Sequence, residues 1–462
     1  MRFLGSISLL ALVSILLGCG AATGGHPNDP SSYPVLVFSD VHFNPFDDPS
    51  LCPALDAADV TAWPGILQGS KTSTKPATAN HDTNYPLLTI ALSSIKQNLG
   101  ASPAVIFTGD LLGHNFPTYY QADCNNSDPA AMQAFSIKTA IFVMQQVRAS
   151  VGNVPVMFVV GNSDSYLGMG PDSSFLAGTV QSYYTNFVNG SQANYQAFFN
   201  TFTSGGYYSA QPLDAGLKVI ALNTNPFAPP YPGLPSQDTA VYAELAWLDS
   251  ELASAQAAGQ KVWLLMHIPP GADTITSATN FEANGSLRDT TAAMMWVPAY
   301  QQAFLEILAK YPGVITMTLG AHAHRDEFRI LSAGNTLDIT PSISPCFGNN
   351  PAFKVFSFAR GTYTPIDYRS VNYDLSTAPA QFTPYYTFSQ AYSFTGTLDT
   401  SFATLAPELV TNSAARSTYI DQYNSGNNSG GANPITPSNW PVFACGVTNV
   451  AQADFIKCVN GN

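Results

Sequence analysis

Two histidines of the sequence, His322 and His324, stand one residue apart at the end of an apolar run that begins at Val314. Because such a run predicts a buried strand, we expect both imidazoles on the loop that follows it. If the backbone bends between them, both side chains can reach one small volume and ligate two metal ions. Histidine pairs with this spacing are also common on protein surfaces, so a metal site requires partners from other strand ends.

Other predicted strand ends supply such partners. The following residues each come shortly after an apolar run: Asp40, His42, Asp110, Asn162 and His267. Together with the histidine pair they offer two carboxylates, one amide oxygen and four imidazoles. This mixed set suits a pair of transition-metal ions better than Ca²⁺ or Mg²⁺, which prefer oxygen ligands throughout. The sequence therefore predicts a metal centre built from these seven residues.

The elements that must position these residues alternate between strands and helices. Short apolar runs bounded by turn residues predict strands over 33–38, 104–107, 154–160, 217–222 and 261–266. Helical periodicity predicts helices over 85–99, 130–150, 241–257 and 299–310. Residues 44–80 show little periodicity and are interpreted as a loop. The alternation predicts an α/β domain with two layers of sheet or one wound sheet, where ligands gather on loops at strand ends.

The pattern changes beyond about residue 373, where the Gly-, Asn- and Ser-rich stretch 424–433 separates segments of helical character. We predict a main domain over 33–372 and a small helical C-terminal subdomain over 373–462.

Six cysteines are present. Cys445 and Cys458 are expected to pair and to close a short loop in the C-terminal subdomain. If Cys19 carries a lipid anchor, the other three, Cys52, Cys124 and Cys346, leave one odd thiol, and the sequence does not decide which two of them pair.

The N-terminus has the features of an export signal. A single basic residue, Arg2, precedes an apolar run that is short for a membrane span but typical of a signal peptide. The run closes with Leu-Leu-Gly-Cys, which resembles a bacterial lipoprotein processing site. We expect a signal peptide over 1–18, lipidation of Cys19 and a tether over 19–32, which would give the protein contact with a membrane through its anchor. The alternative is an ordinary secretory signal followed by a chance cysteine.

Composition limits the partners of the chain. The protein has 462 residues, of which 10% are charged, and its formal net charge is −13. This balance argues against a nucleic-acid-binding surface, which requires a basic stripe. A phosphate-bearing substrate remains compatible with it, because bound metal ions can dominate the local field.

The order Asp-x-His, Gly-Asp, Gly-Asn, His and His-x-His along the chain resembles that of the calcineurin-like metallophosphoesterases. The resemblance implies a β-sandwich flanked by helices, with the catalytic domain over 33–372 and two bound divalent ions. It assigns one ion to Asp40, His42, Asp110 and His324. It makes Asp110 the bridge to a second ion, whose other ligands are Asn162, His267 and His322.

Closer similarity is to the acid sphingomyelinase-like branch, over nearly the whole chain after the N-terminal segment. The motifs that carry it near the predicted metal centre are SDVH (39–42), GDLLGHN (109–115), HIPPG (267–271) and HAHRDEF (322–328). Further agreement lies in GGYYS (205–209), LNTNPF (222–227), PSISPCFGNNPAF (341–353) and the Cys445/Cys458 pair.

The resemblance also proposes a catalytic residue, His114, which lies four residues after Asp110. This histidine would protonate the leaving oxygen or bind the phosphate; the alternative is a structural hydrogen bond within its loop. One departure matters, because the family often has a histidine after its Gly-Asn motif where this chain has Ser163. The general acid that this histidine supplies is therefore missing here.

Three acidic residues near the motifs have other expected roles. Asp164 is predicted to position the Asn162 loop rather than to bind metal. Asp326 and Glu327 either support His324 from outside the ligand set or belong to a solvated turn.

These features predict an exported phosphodiesterase with two divalent metal ions, zinc by resemblance, with manganese or iron as alternatives. The substrate would be a small phosphate ester or a lipid headgroup. Sphingomyelinases of this branch carry a saposin-type domain, for which residues 20–32 leave no room, and this favours soluble diesters or nucleotides. The alternatives are a nucleotide phosphatase or pyrophosphatase of the same fold and a non-catalytic ligand-binding lipoprotein. The sequence does not define an oligomeric state.

Overall fold

The structure is a computed structural model that describes residues 31–168, 170–229, 237–332, 334–377, 381–427 and 434–461. The predicted signal peptide, Cys19 and nearly all of the tether lie outside these residues. Within them, no helix combines the length and the apolar character that a membrane span requires.

The described residues form two six-stranded sheets. The strands are β1 (Ser32–Phe38), β2 (Val105–Phe107), β3 (Val156–Phe158), β4 (Tyr208–Ala210), β5 (Leu217–Ala221), β6 (Lys261–Leu265), β7 (Ile315–Gly320), β8 (Glu327–Ser332), β9 (Asn335–Ile339), β10 (Ala352–Ala359), β11 (Pro365–Tyr373) and β12 (Phe382–Thr387). The first sheet has the order β12-β11-β10-β1-β2-β3, and the second has the order β4-β5-β6-β7-β9-β8. In the first sheet β1, β2 and β3 are parallel, and in the second β5, β6, β7 and β9 are parallel.

The two sheets pack face to face. Between β6 and β10, the rings of Trp263 and Phe358 lie 4.5 Å apart. Between β3 and β4, the rings of Phe158 and Tyr208 lie 5.0 Å apart, and the Tyr208 hydroxyl donates to the Phe158 carbonyl at 3.0 Å. Every residue of β5 and β7 is buried, which explains why these strands read as continuous apolar runs. The predicted β-sandwich flanked by helices is confirmed.

Helices cover the outer faces of the sandwich. They are α1 (Cys52–Ala57), α2 (Trp63–Gln68), α3 (Tyr85–Asn98), α4 (Phe116–Asp123), α5 (Pro129–Val151), α6 (Ser173–Tyr183), α7 (Tyr195–Gly205), α8 (Asp238–Ala257), α9 (Thr274–Asn284), α10 (Pro298–Lys310), α11 (Phe388–Tyr392), α12 (Leu398–Thr411), α13 (Ser413–Tyr423), α14 (Trp440–Thr448) and α15 (Gln452–Val459). Short 3-10 turns span Pro49–Leu51, Val60–Ala62 and Asn225–Phe227, and a π turn spans Tyr184–Val188. The predicted helices correspond to α3, α5, α8 and α10, with ends that agree within three residues.

The interpretation of residues 44–80 as a loop is wrong in part, because α1 and α2 lie there. Each helix is six residues long, too short for a helical period to show in the sequence. Proline in the first turn and the buried side chains of Leu55 and Trp63 stabilise them instead. The segment is anchored by a disulfide between Cys52 and Cys124, the pairing that the sequence left open.

The C-terminal part packs on both sheets. Strand β12 continues the first sheet next to β11, and α12 lies on the second sheet, where Phe402 stacks on Phe328 of β8 with ring centroids 4.5 Å apart. The structure contains the predicted Cys445–Cys458 disulfide, which links α14 to α15. The separation of a subdomain at residue 373 stays a prediction.

Candidate metal centre

All seven predicted ligands meet at one end of the sandwich. Asp40 and His42 follow β1, Asp110 follows β2 and Asn162 follows β3, so the first sheet supplies four of them. His267 follows β6, and His322 and His324 follow β7 in the second sheet. The carboxyl ends of both sets of parallel strands lie at this end, which brings residues distant in sequence into one site.

The first group of donors consists of Asp40, His42 and His324, whose ligand atoms lie within 4.8 Å of one another. The Nε2 atom of His324 is 3.4 Å from Oδ1 of Asp40 and 3.1 Å from Nε2 of His42. All three side chains are buried.

The second group consists of Asp110, His267 and His322, again within 4.8 Å of one another. Oδ1 of Asn162 joins it at 3.1 Å from Nε2 of His267. Asp110 faces both groups, because its Oδ2 lies 3.2 Å from Nε2 of His267 and 3.2 Å from Nε2 of His42. It therefore occupies the position of a bridging carboxylate.

Backbone carbonyls fix the orientation of two imidazoles. Nδ1 of His42 lies 2.9 Å from the Leu112 carbonyl, and Nδ1 of His267 lies 2.7 Å from the Thr108 carbonyl. Because a carbonyl only accepts, each Nδ1 carries the hydrogen and each Nε2 presents its lone pair to the cluster. Histidines that bind metal are held in this way.

The electrostatics of the cluster fit bound cations. Both carboxylate oxygens of Asp40 are buried without a hydrogen-bond partner, an arrangement that is unfavourable unless a cation compensates it. Burial alone would raise the pKa of Asp110, but the imidazoles of His267 and His42 hold that pKa well below its usual range. Burial and the neighbouring His267 lower the pKa of His322 to about 4, so its imidazole is neutral, as a ligand must be.

The backbone at the site is strained. Positive φ angles between 42° and 70° occur at Asp40, His42, Asp110, His322 and His324. Residues other than glycine rarely adopt this conformation, at a cost of about 1–3 kcal/mol each, and such strain concentrates at functional sites. The bend that the His-x-His spacing requires is thus present at both histidines.

Gly161 is required because the carboxylate of Asp110 approaches its backbone closely. A Cβ atom on Gly161 would lie 1.9 Å from Oδ1 of Asp110, well inside van der Waals contact. The same Oδ1 accepts a hydrogen bond from the Ser163 amide at 2.8 Å. The loop after β3 therefore packs its backbone directly against the bridging carboxylate.

Asp164 positions the backbone of the Asn162 loop, as predicted. Its buried carboxylate accepts hydrogen bonds from the amides of Gly161 and Leu111, both at 2.7 Å. It also accepts a hydrogen bond from the backbone amide of Asp110, at 3.2 Å.

His114 lies beside the first group, and the sequence analysis missed the residue that holds it. Its ring stacks on His42 with centroids 4.1 Å apart, and its Nδ1 lies 2.9 Å from Oδ1 of Asp82. The other oxygen of Asp82 accepts the His114 amide at 2.6 Å. Burial lowers the pKa of His114, but hydrogen bonds to Asp82 and Cys346 raise it to about 11. Asp82 lies in a polar loop 32 residues earlier, and no spacing in the sequence links the two.

A cleft of about 470 Å³ opens over the two donor groups. Its lining includes Asp110, Asn162, His322 and His324 at one end. Further lining residues that the sequence analysis did not single out are Thr274, Met295, Arg325, Phe347 and Tyr423. Phe347 is 47% exposed, and its ring lies edge-on to His324 with centroids 4.7 Å apart. Phe347 lies within 341–353, one of the motifs of the sequence analysis, and that motif was the signal that could have identified it as a site residue.

Comparisons with known proteins agree with this geometry. The calcineurin-like phosphoesterase family matches residues 33–326. Sphingomyelinase phosphodiesterase D of Dictyostelium discoideum is 27% identical over 60% of this chain and 57% of its own length. Cyclic GMP-AMP phosphodiesterase SMPDL3A of Mus musculus is 27% identical over 68% of this chain and 67% of its own.

A solved structure, a dimetal phosphatase from Danio rerio, is similar with a TM-score of 0.42 and 12% identity, over 77% of this chain and 99% of its own. The chain spans between 52% and 68% of the length of the first four relatives that it matches. Since the family match covers well over half of the sequence, the chain belongs to the calcineurin-like phosphoesterases, metal-dependent hydrolases of phosphate esters.

Proposed function

We propose that the protein is a phosphodiesterase that holds two divalent metal ions between its two sheets. The observation that carries this proposal is the pair of buried donor groups that share Asp110. Asp40, His42 and His324 would hold one ion. His267, His322 and Asn162 would hold the other, with Asp110 between them. Zinc is our expectation for both positions, with manganese or iron as alternatives.

When bound, two divalent ions activate a water molecule as nucleophile and stabilise the negative charge that develops on the phosphoryl oxygens. Asp40 and Asp110 are the anionic ligands in this set, so two divalent cations leave the site positively charged. An anionic phosphate ester is therefore attracted to the site although the chain carries a formal net charge of −13.

His114 is the residue of this chain that we assign to proton transfer. Its Nδ1 is bonded to Asp82, so Nε2, the ring nitrogen that remains for the hydrogen bond with Cys346, is the one that would donate to a leaving oxygen in place of that thiol. The side chain is 32% exposed and lines the cleft, whereas the ring carbon face is covered by His42. In this role His114 takes the place of the histidine that the family often has at the position of Ser163.

The cleft supports a diester as the substrate. Its lining includes Arg325, Tyr423 and Met295 besides residues of both donor groups, and its volume of about 470 Å³ exceeds what a phosphate group alone would fill. The two relatives named above are phosphodiesterases by name. A monoester would fill only the part next to the metal groups.

One observation favours a nucleotide phosphatase or pyrophosphatase as the second candidate. The exposed ring of Phe347 at the cleft rim can stack on a planar base. The guanidinium of Arg325, which also lines the cleft, can bind an additional phosphate. A non-catalytic lipoprotein is the weaker alternative, because a binding role alone has no need of the complete ligand set.

We further propose that the protein is exported and anchored through Cys19 after removal of residues 1–18. Two disulfides, Cys52–Cys124 and Cys445–Cys458, support an oxidising compartment.

Hydrolysis of bis-p-nitrophenyl phosphate beside p-nitrophenyl phosphate tests the proposal, with metal content measured on the same samples. We expect diester turnover with two ions per chain, and loss of both turnover and metal in Asp110→Asn. Turnover of the monoester alone would favour the phosphatase. A wild-type protein that binds no metal would overturn the proposal altogether.

A further inference from the structure

A lysine is buried between the two sheets below the metal centre. Lys354 of β10 is fully buried, and its Nζ lies 2.7 Å from Oδ1 of Asp326 and 2.8 Å from both carboxylate oxygens of Asp338. The ammonium also lies 4.3 Å from the ring centroid of Tyr368. Both aspartates are almost completely buried. One ammonium group thus meets two carboxyl groups inside the sandwich, and burial raises the pKa of one of them, Asp338, to about 7.

The three residues connect the elements that carry metal ligands from different sheets. In the first sheet, Lys354 pairs with Val37 of β1, the strand that leads to Asp40. In the second sheet, Asp326 follows His324 by two residues. The Lys354–Asp326 ion pair therefore joins the strand before Asp40 to the loop that presents His324.

Asp338 is tied to the second sheet in a different way. It lies on β9 opposite Leu319 of β7, within a strand and not on the ligand loop. Its contact with Lys354 joins the two sheets, but ladder hydrogen bonds already hold its backbone in place. Both carboxylates thus contact the Nζ atom of Lys354, Asp338 from a fixed strand and Asp326 from a loop.

Further contacts hold the loop at Asp326. Its second carboxylate oxygen accepts the Tyr386 hydroxyl at 2.7 Å, and its amide donates to the Tyr423 carbonyl at 3.0 Å. These partners come from β12 and from the end of α13. Burying a lysine with two carboxylates is unfavourable relative to a well-packed apolar cluster, so fold stability alone is a weak reason for the arrangement.

The metal ligands above this network tolerate little displacement. Nε2 of His324 is 3.4 Å from Oδ1 of Asp40, and the two residues belong to different sheets. Ligand positions must be held to within about 0.5 Å for full affinity. A shift of the loop by one ångström would separate the donors of the first group.

We propose that Lys354 and Asp326 are positioning residues, which set the place of His324 relative to Asp40 and thereby the metal affinity of the first donor group. The proposal rests on the proposed function, since it assumes that this group binds a metal ion. Neither residue belongs to a donor group, and neither lines the cleft.

A matched pair of variants tests this. Asp326→Asn and Asp338→Asn each replace one carboxyl group by an amide and each leave Lys354 with one carboxyl partner, but only the first loosens the ligand loop. Isothermal titration calorimetry of the metal-free protein with Zn²⁺ should show that Asp326→Asn binds Zn²⁺ about tenfold more weakly than the wild type at one of the two sites. Asp338→Asn should retain the wild-type affinity at both sites.

A triple variant separates positioning from folding. Replacing Lys354 by Met together with Asp326→Asn and Asp338→Asn removes every charge of the network, so that no unpaired charge is left buried. We expect this variant to fold, as judged by circular dichroism, and still to bind one Zn²⁺ more weakly. Wild-type affinity in the triple variant, or equal affinities in the two single variants, would overturn the proposal. Absence of any Zn²⁺ binding by the wild-type protein would instead reject the proposed function.

Discussion

The Asp82–His114 pair is the part of the site where a single side chain decides what chemistry is available. The carboxylate fixes the ring through Nδ1 and also binds the His114 amide, so the imidazole has one orientation. A carboxylate that orients a catalytic imidazole stabilises the correct tautomer and its protonated form. Asp82 therefore belongs to the proposed catalytic machinery although it does not reach the substrate.

We predict that His114→Ala lowers kcat for bis-p-nitrophenyl phosphate by about 10²-fold, the usual contribution of general acid catalysis. Asp82→Asn should lower kcat less, because the imidazole remains but its orientation and charge are less well supported. Metal content should be unchanged in both variants. Steady-state kinetics and metal analysis on the same preparations check this.

His81→Ala is the matched control for both variants. His81 is exposed and bonds only within its own turn, to Thr78 and to the Ala79 carbonyl. Its replacement should leave kcat at the wild-type value. A His114→Ala variant with unaltered kcat would assign this residue to the structural alternative.

At the scale of residues, the sequence predicted which side chains would meet but not what holds them. The seven donors were predictable because each follows an apolar strand. Asp82 was not, because it lies in a polar loop and reaches His114 only through the fold. The left-handed backbone at Asp40 and Asp110 was also beyond the sequence, since aspartate adopts this conformation more often than most residues but at few of its positions.

At the scale of elements, helix α12 contains a carboxylate whose protonation affects stability. Asp399 lies in the first turn of α12 and accepts a hydrogen bond from the Thr336 hydroxyl of β9. Burial raises its pKa to about 6. The folded protein therefore binds this proton more tightly than the unfolded chain does.

We predict that this carboxylate makes the protein less stable as pH rises. The protonated form stabilises the fold fully below about pH 4, and the contribution is lost between about pH 4 and pH 6. Asp399→Asn should remove this dependence, so that its free energy of unfolding exceeds that of the wild type by about 1–3 kcal/mol above pH 6. Urea unfolding across this range, with chelator in every buffer, measures the difference.

Asp454→Asn controls for the loss of a carboxylate from a first helical turn. Asp454 also lies in the first turn of its helix, as the third residue of α15, but it is exposed. Its variant should follow the wild-type pH dependence. If the free energy of unfolding of Asp399→Asn depends on pH as that of the wild type does, burial of this carboxylate does not affect stability.

The elements that the sequence predicted are those with a long or continuous pattern. The parallel strands are buried on both faces and read as apolar runs, and the long helices show their period. Strand β4 is as short as β2 and β3, but its sequence Tyr-Ser-Ala is not an apolar run. Helices α1 and α2, with six residues each, are too short to show a helical period. Their conformations depend on contacts with distant parts of the chain.

At the scale of the whole molecule, the metal centre joins the two sheets. Asp40 and Asp110 come from the first sheet, and the histidines after β6 and β7 come from the second. A ligand that binds only the folded state stabilises it by mass action. Bound metal should therefore stabilise the sandwich itself and not merely the loops around it.

We predict that EDTA lowers the Tm of the wild-type protein by about 10 °C, as expected when ions bound well above their Kd are removed. Addition of excess Zn²⁺ should restore the original Tm. Differential scanning calorimetry in matched buffers measures both changes.

In Asp110→Asn the same treatment should change Tm little, because its metal sites are already impaired. An equal EDTA effect in this variant would indicate that stability depends on metal bound elsewhere.

The sequence predicted the sandwich as a whole because family motifs and strand pattern agree. It did not predict that β12 would extend the first sheet, nor that Tyr423 at the end of α13 would line the cleft. Both depend on how the last ninety or so residues fold back over the sandwich. Such long-range packing leaves no periodic trace in a single sequence.

The order of the ligands along the chain determines when the centre can form. The first group needs His324 in addition to Asp40, and the second needs His322 in addition to Asp110. During synthesis, neither group is complete until more than two thirds of the chain has been made. Metal can therefore bind both donor groups only late in synthesis or after it, once the loop that follows β7 has been made and the two sheets have packed together. If both groups bind metal as proposed, the ions available where the two sheets assemble determine which metal the site contains.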